Sequence, residues 1–569
     1  MARNDLDAES VQKSIDEKSG DGSAAEKANV REYVVQTDPR YHFDAADLDK
    51  VQRRLKQRHV QMIAFAGTMG TGLFLGSGHV IQGAGPLGAL IAYGLVGTIA
   101  YGTICSLAEM ASFAPISGSF PHYAARWVDP AFGFALGWNY FYTSAISIPV
   151  EITAACILLT YWDANINHQA AYTAAVVVAV CAINIFGVRW FGEAEFVFCL
   201  IKIGHIDNVI DRAVTLITLL IIAGLIIDLG GGPDHERIGF RYWKNPGAIA
   251  GSGLEPKHPG LDKFIALLSV IVQSAFSYGG MEVIAIGASE TESPRRNIRK
   301  AIRRVFWRIL TFYMLGIFVT GLLVPSNDPN LLSSTGTAAE SPYVIAMTRA
   351  GIKVLPHYIN ACVFTSAFSA GNSSLYASSR VLYGLAIRGQ APRCFAWCTK
   401  KGLPLAAILA SGSFAWLSFM NISSGAETVF TWLVNLSTTG SFFSWGAMCV
   451  TYLRFYKGLK AQGFDRTTFA YWSPLQPFLA WWALLWLALF ILITGLRVFW
   501  DFTASGFFTD YVNIPIFLGL YVFWKVVKRT KSWKVNEMDF VTAIPSLEET
   551  ETPEVIPTTI LAKVADALF

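Results

Sequence analysis

Residues 66–78 read AGTMGTGLFLGSG, and residues 275–282 read AFSYGGME. Both glycine-rich stretches lie in the middle of long apolar segments, where an uninterrupted helix would otherwise be expected. Clustered glycines allow a helix to unwind locally, and unwinding leaves backbone N–H and C=O groups without partners inside the helix. The two stretches therefore predict two interrupted helices, each with free backbone groups at the interruption.

The composition places these apolar segments in a membrane. Of the 569 residues, 53% are hydrophobic and 15% are charged, whereas soluble domains carry about 25% charged residues. A helix needs roughly 20 apolar residues to cross a bilayer, and the repeated runs predict an all-α membrane protein of about twelve transmembrane helices. The predicted spans lie near residues 60–80, 87–113, 132–161, 170–187, 194–229, 265–287, 306–325, 357–386, 404–421, 427–453, 475–497 and 507–527.

The positions of lysine and arginine predict the orientation, because positive residues concentrate in cytosolic loops. Basic residues precede the first span and follow spans six, eight, ten and twelve, whereas loops one, three and nine carry almost none. Both termini are therefore predicted to be cytosolic, and the N-terminal region lacks the apolar stretch of a cleavable signal peptide. The predicted organisation is a disordered tail over residues 1–52, a transmembrane domain over residues 53–530 and a second tail over residues 531–569.

The interrupted helices are spans one and six, which are five spans apart, as a five-plus-five inverted repeat requires. Discontinuous helices in corresponding positions of two halves are typical of transporters. Free N–H groups at a helix end suit a carboxylate, and free carbonyls suit an ammonium group, so the interruptions predict a site for a zwitterion. The alternative is that the glycines only allow close packing between helices.

Charged residues inside predicted spans are costly and are therefore candidates for a function. They are Glu109, Glu151, Lys202 and Glu282. A buried carboxyl or amine can take up and release a proton; the alternative for each is a structural ion pair or a helix end that faces water. The sequence shows no nucleophile–base set and no cysteine or histidine group at metal-binding spacing. We expect no enzyme activity, no metal, no organic cofactor and no nucleic-acid partner.

Several further motifs carry a family resemblance. They are residues 108–120 (AEMASFAPISGSF), 137–140 (GWNY), 149–151 (PVE), 289–297 (SETESPRRN), 306–308 (FWR), 369–374 (SAGNSS) and 379–383 (SRVLY). Together with the two glycine-rich stretches, the chain resembles the fungal amino acid permease family of the amino acid–polyamine–organocation superfamily over residues 50–540. The surroundings of residues 155–156 and 421–427 look most similar to the general or dicarboxylic branch.

The resemblance implies a five-plus-five inverted-repeat fold, alternating access and import of amino acids driven by protons at the plasma membrane. The residues implied to bind the substrate carboxylate through backbone N–H groups are Thr68, Gly70, Thr71 and Gly72. Those implied to bind its ammonium group through backbone carbonyls are Phe276, Ser277 and Gly279. The ring of Phe276 or Tyr278 would help to enclose the substrate. The residues implied in proton coupling are Glu151, Lys202 and Glu282.

One stretch departs from the family pattern. Residues 204–214 read GHIDNVIDRAV and place polar groups in the middle of predicted span five. We interpret them as an additional segment, either a retained intron in the coding sequence or a genuine insertion, that would displace Lys202.

Two questions of function and partners stay open at this stage. A nutrient receptor built on a permease scaffold, signalling with little transport, is the alternative to an importer. The expected surroundings are the lipid bilayer and an amino acid substrate, with a ubiquitin ligase or its adaptor as a further partner at the cytosolic tails.

Overall fold

The structure is a computed structural model. The residues that it describes are 71–116, 119–163, 165–186, 193–194, 215–233, 235–286, 293–332, 341–399, 402–424, 426–542 and 544. Every regular element in these ranges is a helix. The long apolar sequences explain this result, because a backbone in lipid must satisfy its hydrogen bonds within its own segment.

The helices of the first part of the chain are α1 (Ser77–Phe113), α2 (Ser119–Trp127), α3 (Pro130–Leu159), α4 (Ile166–Ile185) and α5 (Thr215–Asp228). Those of the middle part are α6 (Pro259–Ser269), α7 (Ile271–Phe276), α8 (Val283–Ile286), α9 (Pro294–Arg308), α10 (Leu315–Leu323), α11 (Pro329–Leu332) and α12 (Pro342–Arg349). Those of the last part are α13 (Leu355–Ile387), α14 (Leu405–Gly412), α15 (Asn421–Ser424), α16 (Ala426–Ala461), α17 (Phe478–Ile493), α18 (Ala504–Tyr511) and α19 (Asn513–Lys528).

Short turns of other helix types extend or join these elements. The π-helical turns are Gly72–Gly76, Trp243–Gly247 and Ile309–Met314, and the 3-10 turns are Arg393–Ala396, Ser413–Met420, Arg466–Thr468, Leu496–Phe499 and Val535–Glu537.

Several described helices can cross a membrane. Five stretches are long and apolar enough to do so, and there are six if α18 and α19, which meet at a 44° bend, form one span. Helices α13 and α16 have 33 and 36 residues, which exceeds the roughly 20 that a crossing needs, but they carry many serine and threonine residues. The chain is therefore an all-α, multi-pass membrane protein, and the number twelve stays a prediction.

Helix α3 lies at the centre of the described bundle, where it packs against α2, α13, α16 and α19. Its N-terminus is stabilised because the Asp129 side chain accepts a hydrogen bond from the Ala131 N–H at 2.8 Å and Pro130 occupies the first turn. Of an apolar 18-residue stretch of this helix, 83% is buried inside the structure, which fits a helix that is apolar on all sides. Asn139 of α3 donates to the Gly440 carbonyl at 2.9 Å and thereby ties α3 to α16.

Helix α1 contains a sharp bend that separates predicted spans one and two. Gly85 has φ 75° and ψ 173° and is followed by Pro86. A Cβ atom on Gly85 would lie 2.7 Å from the Ala250 nitrogen, so glycine is needed both for the positive φ and for the close approach. A backbone group that the bend frees from the helix has a partner, because Leu87 N–H donates to the Ala248 carbonyl at 2.8 Å.

Glu109, one of the charged residues inside a predicted span, forms a buried ion pair. Its carboxylate is fully buried and accepts two hydrogen bonds from the Arg466 guanidinium, at 2.8 and 3.0 Å. The Ser473 N–H adds a third at 3.2 Å. The structural alternative weighed for Glu109 is therefore the one that the structure supports, and it fixes the loop after α16 against α1.

The first prediction concerns this pair. Removing one partner of a buried ion pair costs about 3–5 kcal/mol because the other charge is left uncompensated. We expect Glu109→Gln and Arg466→Met each to lower the melting temperature of the detergent-solubilised protein strongly. The double variant Glu109→Met with Arg466→Met should recover most of the loss, since it leaves no buried charge. Additive losses in the double variant would show that the two side chains do not act as a pair.

Candidate functional site

The two predicted interruptions meet each other in the structure. The first is the π-helical turn Gly72–Gly76, and the second comprises residues 277–282 between α7 and α8, where Gly280 has φ 85°. Gly72 lies directly against Ser277: a Cβ atom at Gly72 would be 2.7 Å from the Ser277 Cα and 2.8 Å from its Oγ. Only a residue without a side chain permits this approach.

Three tyrosine side chains brace the contact: Tyr93 of α1, Tyr278 of the second interruption and Tyr313 of the π-helical turn Ile309–Met314. The Tyr93 hydroxyl lies 2.9 Å from the Ser277 Oγ and donates to the Gly72 carbonyl at 3.4 Å. The Tyr313 hydroxyl donates to the Ser277 carbonyl at 2.8 Å, and the Tyr278 hydroxyl donates to the Tyr93 carbonyl at 2.9 Å. The rings of Tyr278 and Tyr313 are stacked, with centroids 4.4 Å apart. The brace satisfies backbone groups that the interruptions would otherwise leave unpaired.

A cavity opens beside the two interruptions. It encloses about 700 Å³ of empty volume, including the part open to the outside, and is lined by the first turn, α3, the second interruption, α13 and α16. Hydroxyl groups dominate its wall. The serine and threonine residues that line it are Thr143, Ser144, Ser147, Ser277, Ser373, Ser374, Ser437, Thr438 and Ser441. None of the described lining residues is a lysine, arginine or histidine.

Two carboxyl groups line the cavity, and each has a neutral side-chain donor among its partners. Glu151 of α3 accepts a hydrogen bond from the Thr71 hydroxyl at 3.0 Å, so it is joined to the residue that precedes Gly72. Glu282 follows the second interruption and interacts with the side chains of Tyr140 and Trp445. Both carboxyl groups are more than nine-tenths buried. Each carboxyl group therefore lies next to one of the two interruptions.

The structure brings most of the predicted site residues to one place. Gly72, Phe276, Ser277, Gly279, Glu151 and Glu282 line the cavity. Thr71 contacts it through Glu151. Thr68, Gly70 and Lys202, like residues 204–214, lie outside the described residues. The roles predicted for all of these residues stay predictions.

Two details differ from the simplest version of the predicted site. Tyr278 does not line the cavity; its ring is fully buried against Tyr313, so of the two predicted enclosing rings only Phe276 faces the cavity. The carbonyls of Phe276 and Ser277 already accept one hydrogen bond each, from Gly279 N–H and Tyr313. A carbonyl oxygen has two lone pairs, so each keeps one position for a ligand.

Sequence reasoning did not identify the hydroxyl groups on the opposite wall. Ser373 of α13 and Thr438 of α16 are 1% and 2% exposed, line the cavity, and have no partner for their hydroxyl groups. Buried polar groups are normally paired, so these two hydroxyl groups are exceptions in the cavity wall. Ser373 belongs to a quoted motif, but serines are common in membrane helices, and the sequence carries no signal that selects these two.

The fold and this cavity define a multi-pass membrane protein with a polar chamber at two interrupted helices. Residues 59–537 match the family described as amino acid permease. The chain is 40% identical over 499 residues to the dicarboxylic amino acid permease of Saccharomyces cerevisiae, covering 87% of this chain and 80% of that protein. It is 39% identical over 502 residues to the proline-specific permease of Emericella nidulans, covering 86% and 88%.

A third relative is the general amino-acid permease of Saccharomyces cerevisiae, at 38% identity over 490 residues, 85% of this chain and 78% of that protein. The chain belongs to the amino acid permease family: it is a membrane transporter of amino acids and not an enzyme. The resemblance drawn from the motifs is confirmed at the level of the family.

The second prediction tests the close approach of Gly72 to Ser277. In Gly72→Ala, the new methyl group would overlap the Ser277 backbone, and overpacking of this kind costs about 1–3 kcal/mol. We expect amino acid uptake to be lost while the protein still reaches the membrane. The matched control is Gly76→Ala in the same turn, whose Cβ would meet only the Gln273 carbonyl at 3.9 Å. Equal uptake by the two variants would contradict the assignment.

Proposed function

We propose that this permease imports amino acids across the plasma membrane by proton symport and alternating access, in a five-plus-five inverted-repeat fold. The observation that supports the proposal best is the contact between the two interruptions, which lies in the wall of a cavity with room for an amino acid. The distribution of basic residues supports a cytosolic position for both termini. The tails would then be available to a ubiquitin ligase or its adaptor.

The substrate backbone is proposed to bind between the two interruptions. The first turn offers N–H groups near Gly72 to the carboxylate, together with those of Thr68, Gly70 and Thr71, and the remaining lone pairs of Phe276, Ser277 and Gly279 accept from the ammonium group. A bound zwitterion then links the two half-helices that meet at Gly72 and Ser277. Alternating access requires such a ligand-dependent contact, because a ligand shifts a conformational equilibrium only if it binds the two states differently.

The proposed coupling of protons depends on Glu151, with Lys202 and Glu282 as the further groups. An ionised Glu151 can only accept a hydrogen bond, whereas a protonated one can also donate. The change alters the hydrogen bond between Glu151 and Thr71, which lies next to the proposed carboxylate-binding N–H groups. Proton binding and substrate binding therefore act on the same turn, which is the physical requirement for coupling.

The cavity wall opposite the interruptions indicates the class of substrate. Its unpaired hydroxyl groups, Ser373 and Thr438, are suited to a substrate side chain with a hydroxyl or amide group. The acidic side chains among the described lining residues are Glu151 and Glu282, and no basic side chain among them would attract a second substrate carboxylate. We therefore infer a preference for neutral amino acids with a polar side chain.

The third prediction tests proton coupling by uptake of radiolabelled amino acids into yeast that lacks its own permeases. Uptake should be faster at pH 5 than at pH 7 and should collapse with a protonophore. Glu151→Gln should lose the stimulation by acid, because an amide cannot exchange a proton. Thr71→Val removes the same hydrogen bond but keeps the carboxyl group, so it should lower uptake and retain the stimulation.

The same assay separates the importer from the receptor alternative. Absence of uptake at either pH, for every amino acid and with the protein confirmed at the cell surface, would favour a nutrient receptor. Uptake that is insensitive to the protonophore would keep the transporter but exclude proton symport. Deleting residues 204–214 in parallel shows whether that segment is compatible with transport.

The fourth prediction tests the polar class of substrate with pairs of similar shape. Threonine should compete better than valine, and asparagine better than leucine, because the apolar analogue leaves Ser373 and Thr438 unpaired. In Ser373→Ala and in Thr438→Val, the ratio by which the polar amino acid competes better than its apolar analogue should fall by about two- to tenfold. This factor corresponds to one net hydrogen bond. Ser374→Ala is the control, since the Ser374 hydroxyl donates to the Ala370 carbonyl at 2.9 Å. Equal competition within each pair in the unmodified protein would overturn the inferred class.

A further inference from the structure

The segment after the last helix is bound to the body of the protein. Arg529, at the end of α19, has φ 49° and ψ 40°, a left-handed conformation that turns the chain back. Residues 529–542, called the strap below, then run along α2 and α16. Trp533, Met538 and Phe540 of the strap are each less than one-tenth exposed. Most of the predicted C-terminal tail up to residue 542 is therefore a packed part of the structure.

Backbone and side-chain bonds tie the strap to α2. Trp533 N–H donates to the Val128 carbonyl at 3.0 Å, and its indole N–H donates to the Ala125 carbonyl at 2.9 Å. Arg126 donates to the Asp539 carbonyl at 2.8 Å and pairs with the Asp539 carboxylate at 3.1 Å. Because every residue of α2 is buried and α2 also contacts α8 in the wall of the substrate cavity, the strap holds a helix that adjoins the transport site.

The strap begins at a buried carboxylate. Asp129, which caps α3, accepts from Thr530 Oγ1 at 2.9 Å and from Ser532 Oγ at 3.0 Å, and it pairs with Lys525. Burial by itself would raise the pKa of Asp129, but the bonds from Lys525, Ala131 N–H and the two hydroxyls hold it below its usual range. The charges of Asp129 and Lys525 cancel, so the cluster is neutral as it stands.

Ser532 is exposed to solvent and also donates a hydrogen bond to Asp129. It is exposed, whereas Thr530 is half-buried, and residues 529–534 form neither helix nor strand. A kinase needs such an extended segment to reach a hydroxyl. Arg529 stands three residues before Ser532, and exposed lysines flank it on both sides at Lys531 and Lys534. This arrangement suits serine kinases that select basic surroundings.

We propose that Ser532 is a phosphorylation site whose phosphate releases the strap from Asp129. A kinase would transfer the γ-phosphoryl group of ATP to the Ser532 oxygen; the hydroxyl proton leaves, and ADP is the other product. The modified oxygen can no longer donate to Asp129. The added charge of about −1.5 to −2 lies beside that carboxylate, and a phosphate next to an acidic group disrupts the contact by repulsion. Lys525 neutralises only one of the resulting negative charges.

The fifth prediction uses purified full-length protein treated with a basophilic serine kinase and Mg-ATP. Mass spectrometry should find phosphate on Ser532 in the unmodified chain and none at this position in Ser532→Ala. Chymotrypsin should then cut after Phe540, which is buried in the bound strap, at least about fivefold faster, because proteolysis reports the population of the opened strap. Phosphatase treatment should restore the slow rate. The assay uses purified protein, so its outcome depends neither on the proposed cytosolic placement nor on transport. A negative result would therefore leave the proposed transport function untouched.

A charge control separates release from a general effect of charge. Ser532→Glu should speed cleavage, whereas Asn536→Glu, which adds the same charge at an exposed position of the strap, should not. Slower cleavage of the phosphorylated protein would mean that Lys525, Lys528 and Arg529 capture the phosphate and tighten the strap, which would overturn the proposed release. A kinase that leaves Ser532 unmodified would overturn the site itself.

Discussion

The arrangement of the transport site depends on one close approach, that of the Gly72 backbone to Ser277. It brings together two helix interruptions that are about 200 residues apart in the sequence. No side chain fits between them, so their separation is set by backbone atoms rather than by adjustable packing. The tyrosine brace and the hydrogen bond from Thr71 to Glu151 are arranged around this fixed point. The cavity lies on the side that the tyrosines leave open.

The remaining helices act as a frame that holds this contact in position. Helix α3 is the central member: it carries Glu151 and three serine or threonine residues of the cavity wall, and hydrogen bonds link it to α13 and α16. The Asn139 bond to Gly440 and the Asn360 bond to the Leu158 carbonyl, at 2.8 Å, are examples. In lipid, where apolar surfaces gain little by meeting each other, bonds and close packing of this kind are what associate helices.

The sequence predicts much of this frame for a physical reason. Helix α3 was predicted at residues 132–161 and is Pro130–Leu159, and α4 was predicted at 170–187 and is Ile166–Ile185. Apolar runs of membrane length leave few alternatives. The meeting of the two interruptions was also implied by their glycines. In contrast, the tyrosine brace and the unpaired hydroxyls depend on which faces of distant helices meet, and a linear pattern of tyrosine or serine does not encode that.

The charged residues within the spans show why residue type alone is insufficient. Glu109, Glu151 and Glu282 are three buried glutamates within predicted spans, and by residue type and burial alone they look alike. Glu109 is held by the Arg466 guanidinium, and removing either partner would leave the other charge uncompensated, which is strongly unfavourable. Glu151 accepts from a threonine hydroxyl, and Glu282 interacts with a phenol and an indole. These hydroxyl and indole donors carry no charge, unlike the Arg466 guanidinium. The structure thus places Glu109 in an ion pair with Arg466 and places Glu151 and Glu282 in the cavity wall, a distinction that the residue type alone does not make.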